Sequence, residues 1–314
     1  MKILTDKLNR RFMKDIKMPC SYINKEIFKE RLELFEETHK AKTQYKEFIK
    51  MIETFENPNN YFEYITNLIL KITEYIRGTD NFKKINSFDI VEEQKNINIL
   101  DIPGKTIYNE KNINKVFISF DLKKANYNIF KKISNESNLL TNSNTYEEFI
   151  LEFTEFQYIA NSKNLRQVIF GQLKQFKRVK FQEKKIINDI ANLLINMDVF
   201  KKEDIELLLT DELIISGNRL KNEEDFINII NIIEEDLGFA CSYEMYELKK
   251  FKGLKSFVKK HYFKTNEVKN LSKLMYPAYL KYLKNLAIID SDLYFIHEDK
   301  LAKFLEIPNF EYIE

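Results

Sequence analysis

Glycine and proline are scarce in this 314-residue chain, at 6 and 5. So few glycines, without a period, exclude collagen-like and linker-rich architectures. Neither G-x-G-x-x-G nor G-x-x-x-x-G-K-S/T occurs, which removes the Rossmann and P-loop ways of cradling phosphate. Any phosphate must be held by metal and cationic side chains. The 2 cysteines (Cys20, Cys241) and 3 histidines (His39, His261, His297) are scattered, so no zinc-ligand spacing exists. Two unpaired thiols in a reducing cytoplasm are expected, and the histidines read as structural. Excess charge is also missing, with 50 basic against 48 acidic residues. Affinity for nucleic acid must then come from local patches. The first residues contain no apolar signal core, and no run of 18 apolar residues follows. The sequence predicts a soluble, cytoplasmic protein without membrane contact.

Apolar residues make up 44% of the chain and aromatics 14%, enough to bury a real core. Residues 25–56 carry Phe28, Leu32, Phe35, Phe48 and Ile52 at helical spacing, with a break near 40–44 and a stop at Asn57-Pro58. Residues 59–77 repeat the pattern, and Gly78 reads as the left-handed residue that closes a helix. Positions 79–114 are polar and aperiodic, contain Pro103-Gly104, and read as a long connection. A strand is expected over 115–121, a helix over 122–133 and a Ser/Asn-rich loop over 134–144. Thr145-x-x-Glu148 is a capping box. Further helices are expected near 160–174, 182–197 and 225–237, the last closed by Gly238. Residues 205–216 read as a hairpin, 242–248 as a strand, and 256–263 as its partner across Lys252-Gly253. The last fifty residues return to helix, with a short strand near 293–296. The expected architecture is α+β: a helical region over 1–110, an antiparallel-sheet domain over 111–264 and a helical tail over 265–314.

Two segments carry the chemistry. Val-Phe-Ile-Ser-Phe-Asp-Leu at 116–122 ends an apolar strand on Asp121, and Asp211-Glu212 divides Leu207-Leu208-Leu209 from Leu213-Ile214-Ile215. Carboxylates are seldom buried unless paired or bound to metal. One on each of two core strands is what a two-metal phosphoryl-transfer site requires. The plain structural alternatives are a solvated turn at Asp211-Glu212 and a helix N-cap at Asp121. Between the two segments, Lys163, Arg166 and Phe170 share one helical face in Ser162-Lys-Asn-Leu-Arg-Gln-Val-Ile-Phe-Gly171.

Strand carboxylate, cationic helix, Asp-Glu hairpin: in that order these motifs resemble motifs A, B and C of polymerase palm domains. They are most similar to those of the family A DNA polymerases and single-subunit RNA polymerases, over residues 115–216. The resemblance implies a palm-like antiparallel sheet in which Asp121 and Asp211 hold two Mg²⁺ ions and Glu212 supports them. Arg166, with Lys163 or Lys123, would meet the triphosphate of an incoming nucleotide, and Phe170 its base. The chain differs from those families at Asn126, Lys174 and Thr210, where they carry an acidic residue, a tyrosine and a histidine.

Two basic stretches fit a nucleic-acid backbone: Lys174, Lys177, Arg178 and Lys180, and then Lys255 and Lys259 among Phe251, Phe257, Tyr262 and Phe263. The function expected is metal-dependent nucleotidyl or phosphoryl transfer on nucleic acid, with a nucleoside triphosphate as partner. A non-catalytic nucleic-acid-binding or assembly protein and a two-metal nuclease are the other readings.

Overall fold

Alternation along Val116–Leu122 (β1) decides the centre of the fold. Ile118, Phe120 and Leu122 enter the main core, while Phe117 joins a smaller cluster on the other face. Complete burial of such side chains contributes about 1.5–3 kcal/mol each. Around this strand lie β2 (Ile205–Leu208), β3 (Glu212–Ser216), β4 (Cys241–Lys250), β5 (Phe257–His261) and β6 (Glu267–Lys269). They form an antiparallel sheet in the order β2-β3-β1-β4-β5-β6. The computed structural model describes residues 4–96, 99–102, 104, 106–132, 143–217, 220 and 222–313. Pro103, Ile133 and residues 134–142 of the expected loop lie outside the described residues.

Before the sheet come α1 (Asp6–Asp15), α2 (Lys25–Leu34), α3 (Glu36–His39), α4 (Ala41–Ile52) and α5 (Pro58–Gly78). The expected break near 40–44 is Lys40, left-handed at φ 49°. Asn57 starts α5 by accepting from the Asn59 and Asn60 amides at 2.9 and 3.1 Å, with Pro58 at the first helical position. Gly78 proves to be the last helical residue, and the extended Thr79 separates α5 from the next helix.

The expected connection over 79–114 is a correction. It holds α6 (Asp80–Ser87) and α7 (Ile90–Asn96), and Ile107 covers Phe117, Ile214 and Tyr246 on the second sheet face. These helices are too short to show a period. Tertiary contacts carry α6 instead: Ile85 is buried, and the buried Asn81 donates to the Phe130 carbonyl at 2.6 Å.

After β1 come α8 (Ala125–Lys132), α9 (Tyr146–Leu151), α10 (Gln157–Ala160), α11 (Lys163–Gln172) and α12 (Phe176–Asn196). The Thr145–Glu148 capping box is formed. α13 (Glu223–Leu237) ends at Gly238, φ 68°. The tail contains α14 (Tyr276–Leu283), α15 (Asp290–Leu293) and a hairpin of β7 (Tyr294–His297) with β8 (Lys300–Lys303). The fold is α+β, with helices at both ends of the chain. A single core runs through all three sequence regions, from Phe12 and Phe48 through Phe120 and Ile187 to Tyr279. Arg31 of α2 reinforces it, pairing with the buried Asp292 of α15 at 2.6 Å. No described helix is long and apolar enough to cross a membrane. Cys20 and Cys241 are free thiols.

Candidate active site

The site is built at the end of β1. Asp121 lies opposite Glu212 of β3 and Ser242 of β4. The Leu122 amide donates to the Asp211 carbonyl at 3.1 Å, which sets the turn between β2 and β3 beside Asp121. Because the strand continues through Leu122 and α8 begins only at Ala125, Asp121 is not a helix N-cap. Lys124, left-handed at φ 48°, makes the intervening corner.

A third carboxylate, on α12, is coupled electrostatically to Asp211 and Asp121. Glu183 is buried at 8% exposure, and its charge is felt with those of Asp211 and Asp121. Burial, then repulsion from Asp211, pushes Glu183 up to about 7, with Asp121 adding to the effect and Lys180 opposing it. Burial also raises Asp121, to about 6, helped by Asp211, Glu212 and Glu244 and opposed by Lys163. Among the described residues, none of these three carboxylates accepts a hydrogen bond or makes an ion pair. Glu183 escapes the sequence reading because the helix, expected over 182–197, in fact begins at Phe176, and the lysines of that added turn are assigned to nucleic acid. Yet a signal was present: Glu183 falls on the apolar stripe of Val179, Ile186, Ile187 and Ile190.

Lys163 and Arg166 lie on α11, whose start is fixed by Ser162 accepting from the Leu165 amide. Lys163 is exposed and acts electrostatically on Asp121. Arg166 is half-buried, its guanidinium 5.5 Å from the centre of the Tyr146 ring. Lys123, just past Asp121, lines a cavity of about 540 Å³ with Lys124, Lys131, Lys132 and Tyr146. Asn164 and Gln167 of α11 line a cavity of about 460 Å³ with Arg10, Lys14, Lys17 and Lys273, with no acidic residue in its wall. Burial, then the positive charges of Lys163, Lys273 and Arg166, lowers the Lys17 pKa. Among the cations, Lys163 acts electrostatically on Asp121 and Lys180 on Glu183.

Two of the expected contacts need correcting. Phe170 is not available to stack on a base: it is 7% exposed and packs 5.5 Å from the Phe130 ring, inside the core. Lys259 is not a free backbone contact either. It is 2% exposed, with its ammonium 3.0 Å from Glu244, 3.3 Å from Glu212 and 4.4 Å above the Tyr246 ring. The sequence reading offered phosphate contact for this lysine, and cross-strand carboxylates claim it instead. Of the other expected contacts, Lys174, Lys177, Lys180 and Lys255 are exposed. Arg178 is occupied, donating to the Phe88 carbonyl and to Gln175.

No protein-family model matches the chain, and comparison with curated proteins and with solved structures finds no similar one.

Proposed function

We propose that this chain carries out metal-dependent nucleotidyl or phosphoryl transfer on nucleic acid, with a palm-like sheet as its platform. The observation that carries the reading is the electrostatic coupling of Asp121 and Glu183 to Asp211, with no hydrogen bond or ion pair to compensate any of the three among the described residues. Carboxylates that accepted structural hydrogen bonds would favour a scaffold, and these do not. An all-oxygen donor set of this charge suits a hard divalent ion such as Mg²⁺. Asp121 and Asp211 would hold it, with Glu183 and Glu212 in support. When bound, Mg²⁺ supplies a Lewis acid that lowers the pKa of an attacking hydroxyl and neutralises a leaving phosphate. Lys163, Arg166 and Lys123 would orient the phosphates and offset their developing charge. The acid-free cavity of Lys14, Lys17 and Lys273 gives the nucleic-acid strand an electrostatic hold that the net charge of +2 does not.

The test is an extension and hydrolysis assay on labelled primed and single-stranded oligonucleotides, with nucleoside triphosphates and Mg²⁺ or Mn²⁺. Metal-dependent change of length is expected for the natural chain and not for Asp211→Asn. Equal activity in both proteins, or none in either, would remove the proposal.

A further inference from the structure

A second group of ligand-type side chains lies on the same sheet, away from Asp211 and Glu183. Glu244, His261 and Glu267 come from β4, β5 and β6, and each presents one donor atom within 4.8 Å of the other two. Pairing of Tyr246 with His261 and of Lys259 with Glu267 puts all three on one face. His261 is 9% exposed, and neither ring nitrogen has a hydrogen-bond partner, although both are buried. A neutral imidazole carries one N–H donor and one acceptor, and native proteins rarely leave such atoms unsatisfied. A cavity of about 200 Å³, lined by Glu244, His261, Tyr243 and Phe263, opens beside the ring.

We propose that Glu244, His261 and Glu267 bind a divalent transition ion of the Zn²⁺ class. One imidazole and two carboxylates are three of the four ligands of an open zinc site, and water completes the fourth. The surrounding cations select among ions. Lys259, 3% exposed, keeps one Glu244 oxygen at 3.0 Å, and Lys269 holds one Glu267 oxygen at 2.6 Å. Lys264 pairs with the other Glu244 oxygen, but its side chain is 49% exposed and can withdraw into water. The ion takes the place of Lys264. Two of the four carboxylate oxygens stay with lysines, so a hard ion such as Mg²⁺ finds too few oxygens. Zn²⁺ or Co²⁺ gains from the imidazole nitrogen. This inference is independent of the proposed transfer activity.

The experiment uses the full chain, stripped with EDTA and desalted, titrated with Co²⁺ by visible absorption and then challenged with Zn²⁺. With Mg²⁺ in excess to fill the Asp121/Asp211 site, one equivalent of Co²⁺ is expected, displaced by Zn²⁺ and not by Mg²⁺. His261→Ala and Glu267→Gln should each weaken it at least about 10-fold, the effect of losing even an outer-shell partner. Lys264→Ala should tighten it, since Glu244 is then released. The Asp121→Asn/Asp211→Asn double variant should bind Co²⁺ unchanged. Absence of stoichiometric Co²⁺ binding, or binding indifferent to Glu267→Gln and Lys264→Ala, overturns the inference. So does binding lost only in the double variant, which would assign the ion to the other carboxylates. Should His261→Ala fail to fold, the Glu267 and Lys264 variants decide the matter.

Discussion

Two carboxylate groups on one sheet differ in a single respect. At the end of β1, Asp121 feels the charge of Asp211, the buried Glu183 feels both, no cation pairs with any of the three among the described residues, and the Asp121 pKa is pushed up to about 6, mainly by burial. On the neighbouring strand, Glu244 is half-buried, but Lys259 and Lys264 outweigh the desolvation and hold its pKa down to about 2. The chain supplies the counter-charge in the second group and withholds it in the first. In the proposed site, such uncompensated acids would take their positive charge from a bound cation.

The largest effect that can break this comparison is on catalysis. Asp121→Asn or Asp211→Asn should lower Mg²⁺-dependent transfer at least about 1,000-fold, since a Lewis acid contributes several kcal/mol to the barrier. The same variants should melt no lower than the natural chain in EDTA, because a repulsive charge is gone. A large loss of stability in EDTA would mean that these acids are compensated after all.

Next in size is the opposite group. Lys259→Met leaves Glu212 and Glu244 without their buried cation and should destabilise the fold by about 3–5 kcal/mol. Denaturant unfolding measures it. A loss below about 1 kcal/mol would place this network with weak surface pairs.

A smaller change is expected from Lys14→Glu/Lys17→Glu/Lys273→Glu. Three lost phosphate contacts should reduce the salt slope of single-strand binding by about 2, at roughly 0.7 per contact. Fluorescence anisotropy over a salt series reads it directly. An unchanged slope removes the strand from this cavity.

The smallest effect is on stability against pH, where the groups should show opposite signs. Asp121 and Glu183 hold a proton more tightly folded, at about 6 and about 7, than at their ordinary 3.8 and 4.5. Their contribution in EDTA is therefore full at low pH and lost as pH rises through 6 and 7. Glu244 contributes stability above its ordinary 4.5, and loses it as pH falls through about 2. Melting temperature in EDTA should fall between about pH 5 and pH 8, and Glu183→Gln should flatten that fall. A melting temperature that rises over this interval would contradict the assignment.

Much of the architecture was legible because local periodicity reports burial. The apolar run ending on Asp121 marked β1, apolar runs about Asp211-Glu212 marked the hairpin, and Thr145 and Gly238 marked helix ends. The failures have one origin. Phe170 and Lys259 were judged from their own segments, but Phe130 and two cross-strand glutamates had already occupied them. α6 and α7 were missed because short helices draw their stability from neighbours distant in sequence.

The sequence by itself determined where the strands and long helices run, since side-chain pattern decides which face of each element can be buried. It also determined that any phosphate would meet cations and carboxylates rather than a glycine loop. Only the tertiary structure decided which carboxylates are compensated. Antiparallel register set Asp121 against Glu212 and brought Glu244, His261 and Glu267 together, while the docking of α12 delivered Glu183. Charge interactions and desolvation act through space over several ångströms, so residues tens of positions apart govern each group, and no local pattern encodes them.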